Sequence, residues 1–407
     1  GEDADSRAQK VENYWNKGVL DTESNVQFGE GGAGAFSDGK LTTGIKDVRI
    51  RKVLEEFVSH GAPEEILYKQ KPHIGTDILR VVVKNIRNEI IRLGGEVRFG
   101  TRVTNVIMEG DELVALACES NGESFEIPCN EAILALGHSS RDTFRMLANK
   151  NISMEQKPFS IGVRIEHPQE IIDIAQYGKP GKEIGLPPAE YKINYRCKEG
   201  IAEGRGVYSF CMCPGGEVVA SASENGGVVT NGMSVFARDG KNANSALLVN
   251  VTPEDLPGVD VLEGCKFQRE IEKKAYDLCG GYFAPCQTVG NFLLGNSCDA
   301  EVKPTYLPGV KMCRLDDVLP QFVTDAMREA IPLLDKKLCG FADNGAVLTA
   351  PETRSSSPVR IVRDKDTFMS RLKHSVKKDC CKTLAIDCVI EDFMLAWGSY
   401  ILTDEGY

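Results

Sequence analysis

Six of the twenty residues in the run NVQFGEGGAGAFSDGKLTTG, positions 25–44, are glycine, a density that regular helices and strands do not tolerate. Glycine reaches positive φ without Cβ strain and lets backbone approach a bound group, at an entropic cost that a plain connector need not bear. From Gly29 to Lys40, successive amides can form an anion-binding nest, Ser37 can donate a hydrogen bond and Lys40 can neutralise a phosphate. A flexible loop is the alternative. The P-loop pattern GxxxxGK[ST] is not met, because Leu41 follows Lys40, and no strand is expected just before the run, as a dinucleotide fingerprint requires.

Periodicity organises the flanks. Asp5 to Trp15, Val48 to His60 and Thr76 to Leu93 read as helices, the last through the apolar stripe Ile78, Leu79, Val82, Ile86, Ile90 and Ile91, ended by Gly94 and Gly95. From Glu96 to Gly137 the alternation, broken at EGDE and SNGES, predicts one strand and then a three-stranded antiparallel meander. The all-apolar run Ala132 to Leu136 predicts a closing strand, buried on both faces of a parallel sheet. A β-rich composition follows near Lys157, with strands expected at 159–166, 207–213, 217–223 and 245–251 and a hairpin turn at Pro214 to Gly216. Helices are expected at 169–175, 267–278 and 320–334, and a last strand at 358–362. The boundaries that result are 1–156 and 306–370 for one domain, 157–305 for an inserted one, and 371–407 for an atypical end.

Bulk properties narrow the partners. A net charge of -11 and a pI near 5.2 oppose nucleic acid and anionic membrane surfaces, which select basic faces. A small-molecule substrate and a cytoplasmic setting are the expectations, since no apolar run approaches a membrane span and the first twenty residues are too polar for a signal peptide. The 14 cysteines show no CxxC pair or regular spacing, so reduced thiols are expected, without a disulfide framework.

Other motifs carry weaker chemistry. AILALGHSSRD, 132–142, places glycine and His138 after a buried strand, where ligands of open sheets bind, or is a plain strand-to-helix turn capped by Ser139 or Ser140. PETRSSSPVRI, 351–361, sets Arg354 among hydroxyl residues, as a clamp for an anion or a flavin edge or as a solvated turn. Cys211 and Cys213, two apart on a strand, should share a face, for core packing or for redox chemistry. No metal site is expected, for lack of further ligands at a recognisable spacing. His73 and His167 read as structural or catalytic, and no catalytic residue is assigned.

Together ESNVQFGEGGAGAFSDGKLTT, GAPEEILYKQKPHIGTDIL, RFGTRVTNV, AILALGHSSRD, RIEHPQE, YSFCMCPGGEVVAS, NGMS and ETRSSSPVRI, in this order, resemble the FAD-dependent (NAD(FAD)-utilising) dehydrogenases of bacteria and plastids. The resemblance covers 1–370. It implies an α/β fold with a glutathione-reductase-like FAD-binding domain, here incomplete, and an inserted β-rich α+β substrate domain. It implies FAD as cofactor, with NAD(P)H or an organic substrate as reductant. It further implies that Gly31, Gly32, Ala33, Gly34, Ser37, Asp38 and Lys40 lie along the flavin and its phosphates, that Val103 meets the adenine through its backbone, that Leu136, Gly137 and His138 lie near the nucleotide, and that Arg354 and Ser355 approach the isoalloxazine.

Two departures from that family matter. Its initial strand, GxGxxG turn and helix have no counterpart before Gly1, and its closing GEGAGYAGGI-type block is replaced by the stretch containing Cys380 and Cys381. The expectation is therefore weak or absent FAD retention, because the pyrophosphate would lack its helix N-terminus, and marginal folding, because the parallel sheet would lose its central strands. Three functions stand: a FAD-dependent oxidoreductase, a truncated and non-catalytic remnant unable to retain FAD, and a phosphate-binding transferase using the glycine loop with Lys40.

Overall fold

The computed structural model describes residues 1–42, 47–110, 112–296, 303–364 and 370. Cys380, Cys381 and the rest of the segment 371–407 lie outside them. The architecture is mixed α/β, and its largest sheet is itself mixed.

The first part is helical. Helix α1 (Ala4–Lys17) starts at Asp3, whose carboxylate accepts from the amides of Asp5 and Ser6, and stops at Gly18 with φ 65°. The glycine-rich run follows as a coil with one 3-10 turn, Ala33–Phe36. Helices α2 (Arg49–Ser59) and α3 (Thr76–Arg92) then pack through Phe57, Leu79, Val82, Val83 and Ile86; of the stripe expected on α3, Leu79, Val82 and Ile86 are buried, Ile78 and Ile90 partly so, and Ile91 is exposed.

Strands β1 (Thr101–Glu109), β2 (Glu112–Ser120) and β3 (Glu123–Pro128) form the expected antiparallel meander. Two expectations beside it fail. Residues 96–99 form no strand, and 132–136 run as irregular chain with only a single-residue bridge at Ile133. No parallel sheet stands ready to bury both faces of that run among the described residues. Ala132 and Leu134 instead join the core beneath the meander and α4 (Arg141–Asn149).

The elements that form and flank the larger sheet are, in chain order, β4 (Met154–Gln156), β5 (Phe159–Pro168), α5 (Gln169–Tyr177), β6 (Asn194–Arg196), β7 (Gly206–Cys213), β8 (Glu217–Ala220), β9 (Thr230–Met233), β10 (Asn242–Val251), α6 (Glu263–Cys279), β11 (Ala284–Thr288), α7 (Val289–Leu294), β12 (Val310–Met312), α8 (Gln321–Asp335), β13 (Val347–Glu352) and β14 (Val359–Ile361). Its order is β12-β11-β13-β5-β10-β7-β6, antiparallel throughout except β11 with β12. Strands β5 and β10 are buried along almost their whole length and form the spine of the main core, against α8 and α6.

The turn at 214–216 exists, but the expected hairpin does not. Strand β8 leaves the large sheet and pairs with β9 as a separate ribbon, while β7 pairs with β10 and β6. Strand β13, at the heart of the sheet, and β14, paired with β4, both come from the stretch 306–370.

Candidate cofactor site

The glycine-rich run is shaped from behind by one side chain. Arg7, on α1 and only 1% exposed, donates from Nε to Asn25 O at 2.8 Å, from Nη2 to Val26 O at 2.9 Å and from Nη1 to Glu30 O at 2.6 Å. Its guanidinium also lies 4.8 Å from the ring centroid of Phe36, on which Trp15 packs edge-on. With its carbonyls drawn toward Arg7, the loop turns through Gly31 at φ 87° and Gly32 at φ 57° into the 3-10 turn. A Cβ on Gly31 would meet Ala35 Cβ at 3.1 Å. Among the described residues, the buried amides of Gly31, Ala33 and Gly34 find no protein acceptor. Such amides are costly unless something binds them.

The end of the loop is already paired. Ser37 Oγ donates to Gly34 O at 2.8 Å and accepts from Gly39 N at 3.0 Å. Asp38, buried, takes both Nε and Nη2 of Arg238. Lys40 donates to Met212 O and lies 3.9 Å from Asp38. These contacts bring the loop against β7, where a bulge opposite Asn244 and Ala246 breaks the alternation. Cys211 and Cys213 do not share an environment: Cys211 is exposed at φ 41° and Cys213 is buried.

His73 Nε2 donates to Phe236 O at 3.1 Å and its ring stacks on that of Phe236, while buried His167 donates from Nε2 to Phe341 O at 2.9 Å. Both contacts are structural.

Val103 lines a cleft of about 230 Å³ with Arg102, Thr104, Asp142, Thr143 and Met146, between the meander and the start of α4. Just before α4, Leu136 O accepts from Ser140 Oγ at 2.7 Å, and Gly137 at φ 65° faces open space. His138 contacts Ser139 Oγ at 2.9 Å. Burial, with the nearby Arg354 and Arg141 charges, pushes its imidazole down to about 3.

Arg354 is enclosed. Its Nε and Nη2 reach Glu272 at 3.0 and 2.9 Å, and its Nη1 bonds Ser223. The same carboxylate binds Arg141 at 2.9 and 3.0 Å and Thr353 Oγ1 at 2.7 Å. Ser355 Oγ donates to Ser160 O at 3.0 Å.

An uncharacterized protein of Clostridium beijerinckii is 51% identical over 367 residues, which span 89% of this chain and 68% of that protein. Residues 158–355 match the family described as FAD-dependent protein, C-terminal domain-like. The chain belongs to this family of FAD-dependent proteins. Solved structures that resemble it in part include the flavin-dependent brominase Bmp2 (13% identity, 43% of this chain and 34% of that one, TM-score 0.23) and the anhydrotetracycline hydroxylase OxyS of Streptomyces rimosus (14%, 49% and 30%, TM-score 0.23). CtdE in complex with FAD is a third (11%, 67% and 47%, TM-score 0.22). The chain thus spans less than half the length of each of these three. At such scores the family assignment rests on the sequence matches alone.

FAD is therefore the cofactor, and the residues present fit it. The acceptor-less amides of Gly31, Ala33 and Gly34 suit an anionic group, and Gly137 leaves its neighbourhood open. In this FAD-dependent protein, Arg7, Arg238, Arg141 and Glu272 escaped sequence reasoning. An arginine or glutamate on an amphipathic helix, as with Arg7 and Glu272, or in a polar turn, as with Arg238, reads as solvated, and only the position of Arg141, directly after GHSS, offered a signal.

Proposed function

We propose that the chain is a FAD-dependent oxidoreductase of the dehydrogenase type, with a glutathione-reductase-like FAD-binding region and a substrate domain formed around the large sheet. The observation that carries this reading is the loop tied by its carbonyls to Arg7, in which the amides of three buried residues find no acceptor among the described residues. On this reading Gly31, Ala33 and Gly34 hold the phosphates, the cleft at Val103 receives the adenine, and Leu136 to His138 line the nucleotide's path. A bound flavin supplies two-electron transfer, so the protein's part is to bind, orient and screen from water.

Arg354 acts indirectly on this reading. Its charge is spent on Glu272 and Ser223, so it positions the chain after β13 and contributes a field rather than a hydrogen bond. The acidic chain suits a small-molecule substrate in place of a polyanion.

A non-catalytic remnant is the second reading, and one observation favours it: Lys40 and Arg354, the cations expected to face the cofactor, already have protein partners. Anaerobic addition of NADH or NADPH to the FAD-loaded chain separates the two. Bleaching near 450 nm, at about one reductant per flavin, supports the oxidoreductase. Flavin that stays oxidised with both nucleotides, and with dithionite as the positive control for reduction, favours the remnant.

A further inference from the structure

Helix α3 packs against the 3-10 turn of the glycine loop, and one of its cations meets no counter-charge there among the described residues. Near the start of the helix, Thr76 Oγ1 donates to Ala35 O. Further on, Val83 lies against the loop, so that a Cβ on Gly31 would meet its Cγ2 at 3.4 Å. Arg80 falls between these two contacts on the same helical face, four residues after Thr76 and three before Val83. Its guanidinium carbon lies 5.6 Å from the centroid of the Phe36 ring, which Arg7 approaches to 4.8 Å.

The other basic side chains of α3 are matched: Lys84 with Asp5, Arg87 with Glu30 and Arg92 with Glu89. Among the described residues Arg80 has neither an ion pair nor a hydrogen bond, and its Nε is buried from water. The acids of the loop are engaged elsewhere. Glu30 accepts from Ala4 N at 2.8 Å and from Arg87 at 3.2 Å, and Asp38 holds Arg238. Arg7 adds a second positive charge over the same ring, and burial, then the charge of Arg80, depress its guanidinium. Two cations on one ring, beside a loop whose amides lack acceptors, leave a negative group as the missing partner.

We infer that Arg80 is the cation of an anion site in the glycine loop, pairing with a pyrophosphate, such as the one FAD carries, that is seated on the amides of Gly31, Ala33 and Gly34. The inference rests on the reading of this loop as the element that holds the cofactor's phosphates. The amides supply directed donors, and a guanidinium can bind two phosphate oxygens at once. Arg80 breaks no existing bond in doing so, whereas Lys40, the cation expected from sequence, is already drawn to Met212 O. An arginine that only packed its stem on Phe36 would keep its head in water.

The test separates phosphate from flavin. The full chain, freed of any flavin, is melted with and without inorganic pyrophosphate at low ionic strength. It is then titrated with FAD and with riboflavin, which has the same ring system and no phosphate. Arg80→Met keeps an apolar stem against Phe36 and removes the charge, and Arg92→Met, on the exposed end of the same helix, is the control. Pyrophosphate should raise the Tm of the native chain and of Arg92→Met and leave that of Arg80→Met unmoved. FAD affinity should fall about tenfold or more in Arg80→Met, with riboflavin affinity unchanged, and Arg80→Lys should recover part of the loss. No pyrophosphate shift in the native chain, or an equal shift in Arg80→Met, would overturn the inference. So would FAD and riboflavin weakened alike, which marks a structural role. A chain that responds to pyrophosphate through Arg80 yet takes up no flavin keeps the anion site and sinks the flavin reading, and a chain that binds FAD equally well in Arg80→Met does the reverse.

Discussion

Arg354 and Glu272 form a two-pronged ion pair, 2.9 and 3.0 Å, whose side chains are 3% and 2% exposed. The same carboxylate holds Arg141. One acid on α6 thus ties together the first residue of α4 and the chain after β13. Replacing Glu272 by alanine leaves two buried guanidiniums with only the more exposed Glu224 as counter-charge, and breaking a buried pair from one side costs about 3–5 kcal/mol. Chemical denaturation of Glu272→Ala is expected to show a loss of that size, while a surface control such as Glu96→Ala stays within about 0.5 kcal/mol.

Acid stability should carry the same signature. The two guanidiniums hold the Glu272 carboxyl at about 2, against an ordinary 4.5. A depressed carboxyl contributes stability that is complete above its unfolded value and is lost as pH falls through its folded one. Urea midpoints of the native chain should therefore decline between pH 4.5 and about 2 more steeply than those of Glu272→Gln. Parallel curves would remove Glu272 from the account.

Gly31 can be tested by adding one methyl group. Its φ of 87° disfavours any side chain, and a Cβ would press on Ala35 at 3.1 Å. Gly31→Ala should cost about 1–3 kcal/mol of strain and weaken FAD binding about tenfold or more, read by flavin fluorescence titration.

Arg7 supports the same loop from behind. Arg7→Met keeps most of the side-chain volume but leaves the carbonyls of Asn25, Val26 and Glu30 without their donor. Each lost bond from a charged donor is worth about 1.5–3 kcal/mol. The variant should lose thermal stability and FAD affinity together, and unchanged FAD affinity in a destabilised chain would detach the loop from the cofactor.

Much of this was legible in the sequence where one periodicity dominated. The stripe from Ile78 to Ile91 gave α3, and alternation around EGDE and SNGES gave the meander. Strand β13 was not legible, because VLTAPE is short, interrupted by Pro351 and without clear alternation, and it is buried by its place between β11 and β5. The run 132–136 misled in the opposite sense: apolar residues mark burial, and here that burial is supplied by α4 and one face of the antiparallel meander rather than by a parallel sheet around a strand. At the site, glycine density showed the loop, but Arg7 lies 18 to 23 positions from the carbonyls it holds, and no linear pattern joins them.

The most direct measurement is FAD titration of the purified, folded chain, followed by absorbance and repeated with Gly31→Ala. The account predicts saturation at about one flavin per chain, with bands near 370 and 450 nm, and a clear weakening in the variant. A folded chain that remains colourless after added FAD and gel filtration would contradict it, and equal binding by Gly31→Ala would contradict the role given to the glycine loop.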